Sequence, residues 1–336
     1  VTGTTLRIDE AAWRTSLDRV RDATPGLVPV AKGNGYGFGL PRLAAEATRL
    51  GADTIAVGTP GELDAVADRF PGTIVVLTPW PGAPADDPRI VPTISRLDEL
   101  RRLAASDNRP RALVEVATSM RRHGLAPAEL ADAAPLIDRL DFAGWTIHLP
   151  IGDTSAEAVD LARTATAARP APLWFSHVGA DRVARIGAEL GVETRLRLGT
   201  GLWLADPSAY RATSTVLDVH RVRRGERAGY RQRKVPGDGW VVVVSGGTAN
   251  GIGLEAPTAA TTLRQRLTAV AGGGLAATGR ALSPFELDGR KRWFLEPPHM
   301  QSSLIFLPAG SAPPAIGDEV PVTVRMTTYL PDATAA

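Results

Sequence analysis

One lysine stands where an apolar run stops. Leu27, Val28, Val30 and Ala31 lead into Lys32, and the chain continues Gly33-Asn34-Gly35-Tyr36-Gly37-Phe38-Gly39. A short apolar run bounded by turn residues reads as a strand buried on both faces, which puts Lys32 where the strand ends and its loop begins. The sequence holds three lysines among 38 basic residues, the others being Lys234 and Lys291. Arginine supplies positive charge nearly everywhere else, so an amine here suggests chemistry closed to guanidinium. An amine in an apolar pocket can lose its proton and condense with an aldehyde to a Schiff base. A plain strand-end lysine, its stem laid along apolar surface, would look the same. The glycines that follow let backbone approach a bound molecule closely, with Tyr36 set among them.

Lys-Gly-Asn-Gly-Tyr-Gly-Phe-Gly resembles the pyridoxal-phosphate (PLP) lysine motif of the alanine racemases, and further likenesses follow in order along nearly the whole chain. Thr118-Ser119-Met120-Arg121-Arg122-His123-Gly124 is similar to that family's Thr-Gly-Met-x-Arg-x-Gly, and Gly144-Trp145-Thr146-Ile147-His148 to its Gly-Leu-x-Thr-His. Arg197-Leu198-Gly199 resembles its Arg-x-Gly, and Gly225 to Tyr230 its Gly-Glu-x-Val-Ser/Gly-Tyr. The resemblance implies that Lys32 carries PLP and Tyr230 is a second acid/base, with Tyr36, His148, Ser176, Arg197, Gly199 and Thr200 around the cofactor. Arg122 and the backbone of Met300 would meet the substrate carboxylate. Arg197 would face the pyridine nitrogen and keep it unprotonated, which makes the ring a poor electron sink and suppresses transamination while proton transfer at Cα continues. The family's tyrosine comes from the partner subunit, so a homodimer with shared active sites is implied.

The departures gather near the expected substrate entrance. The family's Gly-Tyr-Ala-Asp-Gly is met by Gly247-Thr248-Ala249-Asn250-Gly251, with Thr248 in place of a tyrosine that narrows the access path. An insertion with a helical pattern at 257–271 and the basic Arg290-Lys291-Arg292 then precede Pro298-His299-Met300-Gln301. A smaller gate residue and added basic residues point to an amino acid or derivative other than free alanine, larger or anionic. Glu115 stands where many members have a lysine that becomes carbamylated, and a carboxylate would supply the same negative charge beside Arg122. The chain has no segment matching the family's closing tyrosine ligand to the phosphate, and Tyr329 does not match it by spacing.

The elements needed to position these residues are legible in the hydrophobic pattern. Apolar strands are expected up to residue 31 and at 53–58, 73–78, 89–94, 111–116, 142–148, 173–177 and 194–198, mostly with helical patterns between them. Eight such alternations imply an α/β fold, a (β/α)8 TIM-type barrel with chemistry at the C-terminal strand ends; a doubly wound open sheet gives a similar pattern. From about residue 216, short strands separated by Gly/Pro turns read as a β-rich C-terminal domain, with strands at 217–223, 239–245, 302–307 and 319–326. The division is placed at 1–212 and 213–336, with residues 1–9 a candidate to pair with the second domain and the last six residues a loose tail.

Composition narrows the class. The formal net charge is only +2 with both signs interspersed, which gives no footing for nucleic acid. The absence of cysteine excludes disulfides, thiolate metal sites and a cysteine nucleophile, and no metal is assigned. No run is long enough to span a bilayer, and the first residues lack a basic segment followed by an apolar core, so a cytoplasmic location is expected. The leading reading is a PLP-dependent amino-acid racemase. An epimerase or aldolase on the same fold and a non-catalytic PLP-binding regulatory protein are the alternatives. A decarboxylase is disfavoured by the lack of cysteine and by Arg197.

Overall fold

The computed structural model describes residues 2–80, 85–254 and 281–336. The helical pattern at 257–271 lies outside the described residues. The chain divides into two compact units, Arg14–Asp206 and Val1–Trp13 together with Pro207–Ala336. Among the described residues no helix is long and apolar enough to cross a membrane.

The first strand, β1 (Thr4–Ile8), belongs to the second unit. The first unit is the expected barrel. Its strands are β2 (Leu27–Pro29), β3 (Thr54–Val57), β4 (Thr73–Pro79), β5 (Ile90–Ile94), β6 (Arg111–Val116), β7 (Asp141–His148), β8 (Leu173–Ser176) and β9 (Thr194–Leu198). All pair in parallel, in the order β2-β9-β8-β7-β6-β5-β4-β3. The ring closes where Val30 N–H bonds to Leu198 on one side and Ala31 N–H to Ala56 on the other, both at 2.8 Å. An open sheet has no such link between its two edges, so the alternative topology is excluded.

Two apolar layers hold the barrel. Val28, Val30, Ala56, Val75, Val91, Leu113 and Trp174, drawn from six of the strands, form one buried cluster, as expected of side chains that fill a barrel interior rather than line a pore. The opposite strand faces pack on helices including Leu97–Ala104, Leu130–Ile137, Ser155–Ala168 and Ala180–Leu190 through Leu100, Ile137, Ala162 and Ile186. Burying one such Val, Leu or Ile contributes about 1.5–3 kcal/mol. At the strand N-termini Arg195 bonds Asp53 at 2.6 Å and lies over Trp174, so that end is occupied by structural ion pairs.

The second unit is β-rich. β10 (Tyr210–Val222) pairs with β1 and β17 (Glu319–Val322) along its first half and with β13 (Gly239–Ser245) along its second, changing register between Val216 and Asp218. β13 pairs with β16 (Ser302–Pro308). β11 (Arg227–Ala228) and β12 (Arg233–Lys234) make a short hairpin. The basic segment, for which no element was expected, is a strand, β15 (Arg290–Trp293), in a hairpin with β14 (Leu282–Leu287). Three expectations are not met. The strand expected at 217–223 already begins at Tyr210. The strand expected at 319–326 stops at Val322, and the chain then turns, with Thr328 and Tyr329 N–H both bonding back to Arg325 O. The final residues are no loose tail: β18 (Ala333–Ala335) pairs in parallel with β1, anchored where the Asp332 carboxylate accepts from Thr4 N–H at 2.8 Å.

Candidate active site

The strand C-termini converge at one mouth of the barrel and bring most of the expected residues with them. Lys32 follows β2, His148 and Ser176 are the last residues of β7 and β8, and Arg197 is the penultimate residue of β9. The lysine loop is tightly wound. Tyr36 adopts the left-handed region at φ 54°, uncommon for a side chain of that size, held by its N–H bonding to Asn34 Oδ1 at 3.1 Å. That conformation buries the Tyr36 ring and brings its hydroxyl beneath Gly199, where a Cβ atom would sit 2.0 Å from the oxygen. Burial, with Glu62 nearby, pushes the phenol up to about 12. Gly199 leads into the single turn Thr200–Trp203.

The mouth is cationic. Lys32 is open to solvent, yet the surrounding protein and the charges of Arg122 and Arg197 pull its amine below the usual lysine value, against the pull of Glu62. Arg197 is buried, and burial lowers it to about 10, which leaves it charged at neutral pH. Its Nη2 reaches Ile147 O at 3.5 Å, and its Nε has no hydrogen-bond partner in the protein. A buried guanidinium nitrogen left without an acceptor is costly and marks the place where a ligand acceptor fits. Burial, followed by Arg197 and Arg122, drops His148 to about 3, so it is a neutral imidazole at physiological pH. Ser176 is buried, in register beside His148.

Arg122 lies in a loop rather than on a helix, its Nη2 4.0 Å from Glu115. Glu115 is buried, and its other oxygen accepts from Ser95 Oγ at 2.9 Å. Thr118 Oγ1 donates to His148 O at 2.9 Å, tying this loop to the end of β7. The carboxylate beside Arg122 is therefore the chain's own.

Two participants were not singled out from sequence. His177 follows Ser176 in a left-handed conformation, φ 62°, with Nδ1 2.7 Å from Leu149 O and its ring centroid 5.0 Å from that of His148. Nothing in a sequence announces that backbone. Glu62 accepts from Gly33 N–H at 2.7 Å, Gly58 N–H at 2.6 Å and Thr59 N–H at 3.1 Å, fastening the loop after Lys32 to its neighbour. Thr59-x-x-Glu62 was a readable capping pattern.

The profile of the alanine racemase N-terminal domain matches residues 8–207. The chain belongs to the alanine racemase family. An alanine racemase of Nitratidesulfovibrio vulgaris (strain Miyazaki F) is 34% identical over 145 residues, which is 40% of this chain and 38% of that relative's length. The alanine racemase of Bartonella henselae, solved with covalently bound pyridoxal phosphate, superimposes with a TM-score of 0.72 at 18% identity, covering 96% of this chain and 91% of that one. A Clostridium difficile 630 alanine racemase gives 0.71 at 16% identity, covering 96% and 87%. At these identities the superpositions establish the fold, barrel and β-rich domain together.

The remaining expected residues lie in the second unit. Tyr230 is 85% exposed and Met300 72% exposed. Thr248 N–H bonds to His299 O and Ala249 N–H to Met300 O, both at 2.9 Å. The segment matching the alanine racemase gate motif is thus held against the one carrying Met300, and the Tyr230 ring lies 4.4 Å from the His299 ring, centroid to centroid. Tyr329 is buried within this unit, where burial pushes its phenol up to about 12.

Proposed function

We propose that the chain is a PLP-dependent amino-acid racemase in which Lys32 and Tyr230 hold and move the α-proton. The observation that carries this reading is the pairing of an amine with lowered proton affinity, Lys32, with a buried arginine, Arg197, whose Nε lacks an acceptor in the same mouth. The donor set fits PLP. Lys32 would hold the aldehyde carbon, Arg197 Nε would donate to the pyridine nitrogen, His148 would lie beside the ring, and Ser176 with Gly199 and Thr200 would meet the phosphate. Gly199 is seated so closely on Tyr36 that a Cβ there would collide with the phenol oxygen, so its backbone is free of any side chain. PLP, when bound, acidifies the Cα–H bond of an amino acid by delocalising the charge left on carbon.

The chain's own residues do the rest. Arg122, backed by Glu115, binds and orients the carboxylate, which fixes the faces of Cα. Lys32 takes or returns the proton on one face. Neutral His148 places no further positive charge beside the ring at working pH. Tyr230 serves the opposite face. Inversion needs a proton to leave one side and return on the other, which two groups accomplish directly. The high exposure of Tyr230 on its own unit supports its serving a site elsewhere, consistent with a homodimer whose protomers complete each other's sites. Thr248, smaller than tyrosine at the gate, supports a substrate larger than alanine.

The test is α-proton exchange in deuterated water across a panel of L- and D-amino acids with added PLP, read by NMR and chiral chromatography. Exchange with inversion, lost in Lys32→Ala, is expected. Exchange without inversion would favour another Cα reaction such as an epimerase- or aldolase-type activity. A PLP adduct with no exchange on any amino acid would favour a binding role.

A further inference from the structure

Tyr230 lies in the turn of the hairpin formed by β11 and β12, with its side chain in solvent. An exposed side chain in a turn normally samples several rotamers, and fixing one costs conformational entropy. A group that must meet Cα at one angle cannot wander. The structure supplies a restraint from a different part of the unit. Glu296 is buried at 2% exposure and accepts from Tyr230 N–H at 2.9 Å, Arg231 N–H at 3.1 Å and His299 Nε2 at 2.6 Å.

Burial alone would raise that carboxyl, but its donors, Arg231 N–H, His299 and Tyr230 N–H, outweigh burial and hold it below the usual range. Glu296 is therefore ionised and can only accept, so the proton of the contact sits on His299 Nε2. This fixes the imidazole's orientation, and its ring then packs at 47° against the Tyr230 ring. Gly229 makes the arrangement feasible. Its φ is +76°, and a Cβ there would lie 2.2 Å from the Glu296 carboxylate, so only glycine lets the carboxylate reach the amides that follow.

We propose that His299, oriented by the buried Glu296 carboxylate, is a positioning residue that sets the Tyr230 ring for proton transfer. The inference rests on the racemase reading of Tyr230. Glu296 fixes the backbone at Tyr230 and, through His299, the ring as well. The same two residues also connect this hairpin to the segment bearing Met300, so the group at Cα and the backbone near the substrate carboxylate share one anchor.

The experiment uses the full chain with 13C-labelled tyrosine rings. Four tyrosines are present, so the Tyr230 signal is assigned by its loss in Tyr230→Phe. His299→Ala and Glu296→Gln are then compared with wild type for ring shift, thermal midpoint, α-proton exchange and inversion. The Tyr230 signal should move toward the shift of a free tyrosine in His299→Ala. Inversion should fall about tenfold with KM little changed, while exchange of the enantiomer whose α-proton faces Lys32 stays within about twofold. Tyr230→Phe should lose about 100-fold or more in inversion. An unmoved Tyr230 signal, or exchange and inversion lost in equal measure, overturns the inference. A wild type that inverts and a His299→Ala that inverts equally well overturns it and leaves the racemase reading intact. A wild type that inverts no amino acid while the signal still moves overturns the racemase reading and supports the positioning contact.

Discussion

A methyl group on Gly199 would lie 2.0 Å from the hydroxyl oxygen of Tyr36. The two residues come from opposite ends of the barrel sequence, and their contact sets the floor on which the loop after β9 rests. Gly199→Ala should therefore lower stability by about 1–3 kcal/mol, the usual cost of forcing a group into packed space, and weaken PLP retention. Removing the hydroxyl leaves the ring carbon Cζ as the nearest atom, 2.9 Å away. Adding Tyr36→Phe should thus recover part of the lost thermal midpoint. A double variant no better than the single would show that the contact is not what excludes alanine.

The amine of Lys32 is set by its neighbours. Its proton affinity is lowered by the surrounding protein and by the charges of Arg122 and Arg197, and raised by Glu62. Removing a lowering charge must move the amine up, and removing the raising one must move it down. Competitive acetylation across pH, read by peptide mass, measures this without any cofactor, with exposed Lys234 and Lys291 as internal references. Lys32 should react at lower pH than both. Arg122→Ala should shift its midpoint upward and Glu62→Gln downward. A Lys32 midpoint equal to the references would remove the electrostatic basis of its role.

Most of the barrel was legible because its signal is local. Each strand is a short apolar run that ends in a turn, and burial on both faces enforces that pattern from Val28 to Leu198. Lys32, His148, Ser176 and Arg197 could be placed at one end because a strand end is a position in sequence. His177 could not, because its part depends on a left-handed backbone and on the carbonyl of Leu149, 28 residues away. Glu296 was hidden for the same reason: its partners Tyr230 and Arg231 are more than 60 positions distant. The tail misled because residues 333–335 are stabilised by pairing with β1, and a parallel pairing between chain ends leaves no mark on composition.

His148 makes acid sensitivity predictable. Its ordinary value of 6.5 falls to about 3 in the folded chain. Between those values the unfolded state holds a proton that the native state does not, so stability rises with pH there. The contribution is fully present above about 6.5 and is lost progressively as the pH falls toward 3. His148→Gln, which has no titrating ring, should flatten this part of the profile. Denaturant unfolding from pH 7 down to 4 would measure it, and parallel profiles for the two proteins would place the sensitivity elsewhere.

Arg197 offers the sharpest test of reaction choice. On the proposed reading its buried cation, whose Nε has no acceptor in the protein, would face the pyridine nitrogen of PLP and favour the form that carries no proton. Arg197→Gln removes the charge and keeps a donor of similar reach. On that reading PLP would be a stronger electron sink once its nitrogen could take a proton, and conversion of the amino acid to its keto acid would compete with proton return at Cα. Inversion should fall by about tenfold or more, the scale of losing one preorganised charge, and keto acid should accumulate with the amino group left on the cofactor. Arg197→Lys retains the charge and should form little keto acid even where inversion is slow. Product analysis by chromatography, with thermal midpoints to confirm folding, separates the outcomes. Equal keto acid from the Gln and Lys variants would mean that charge at this position does not direct the reaction, whereas a difference confined to the Gln variant ties the choice of reaction to the buried cation.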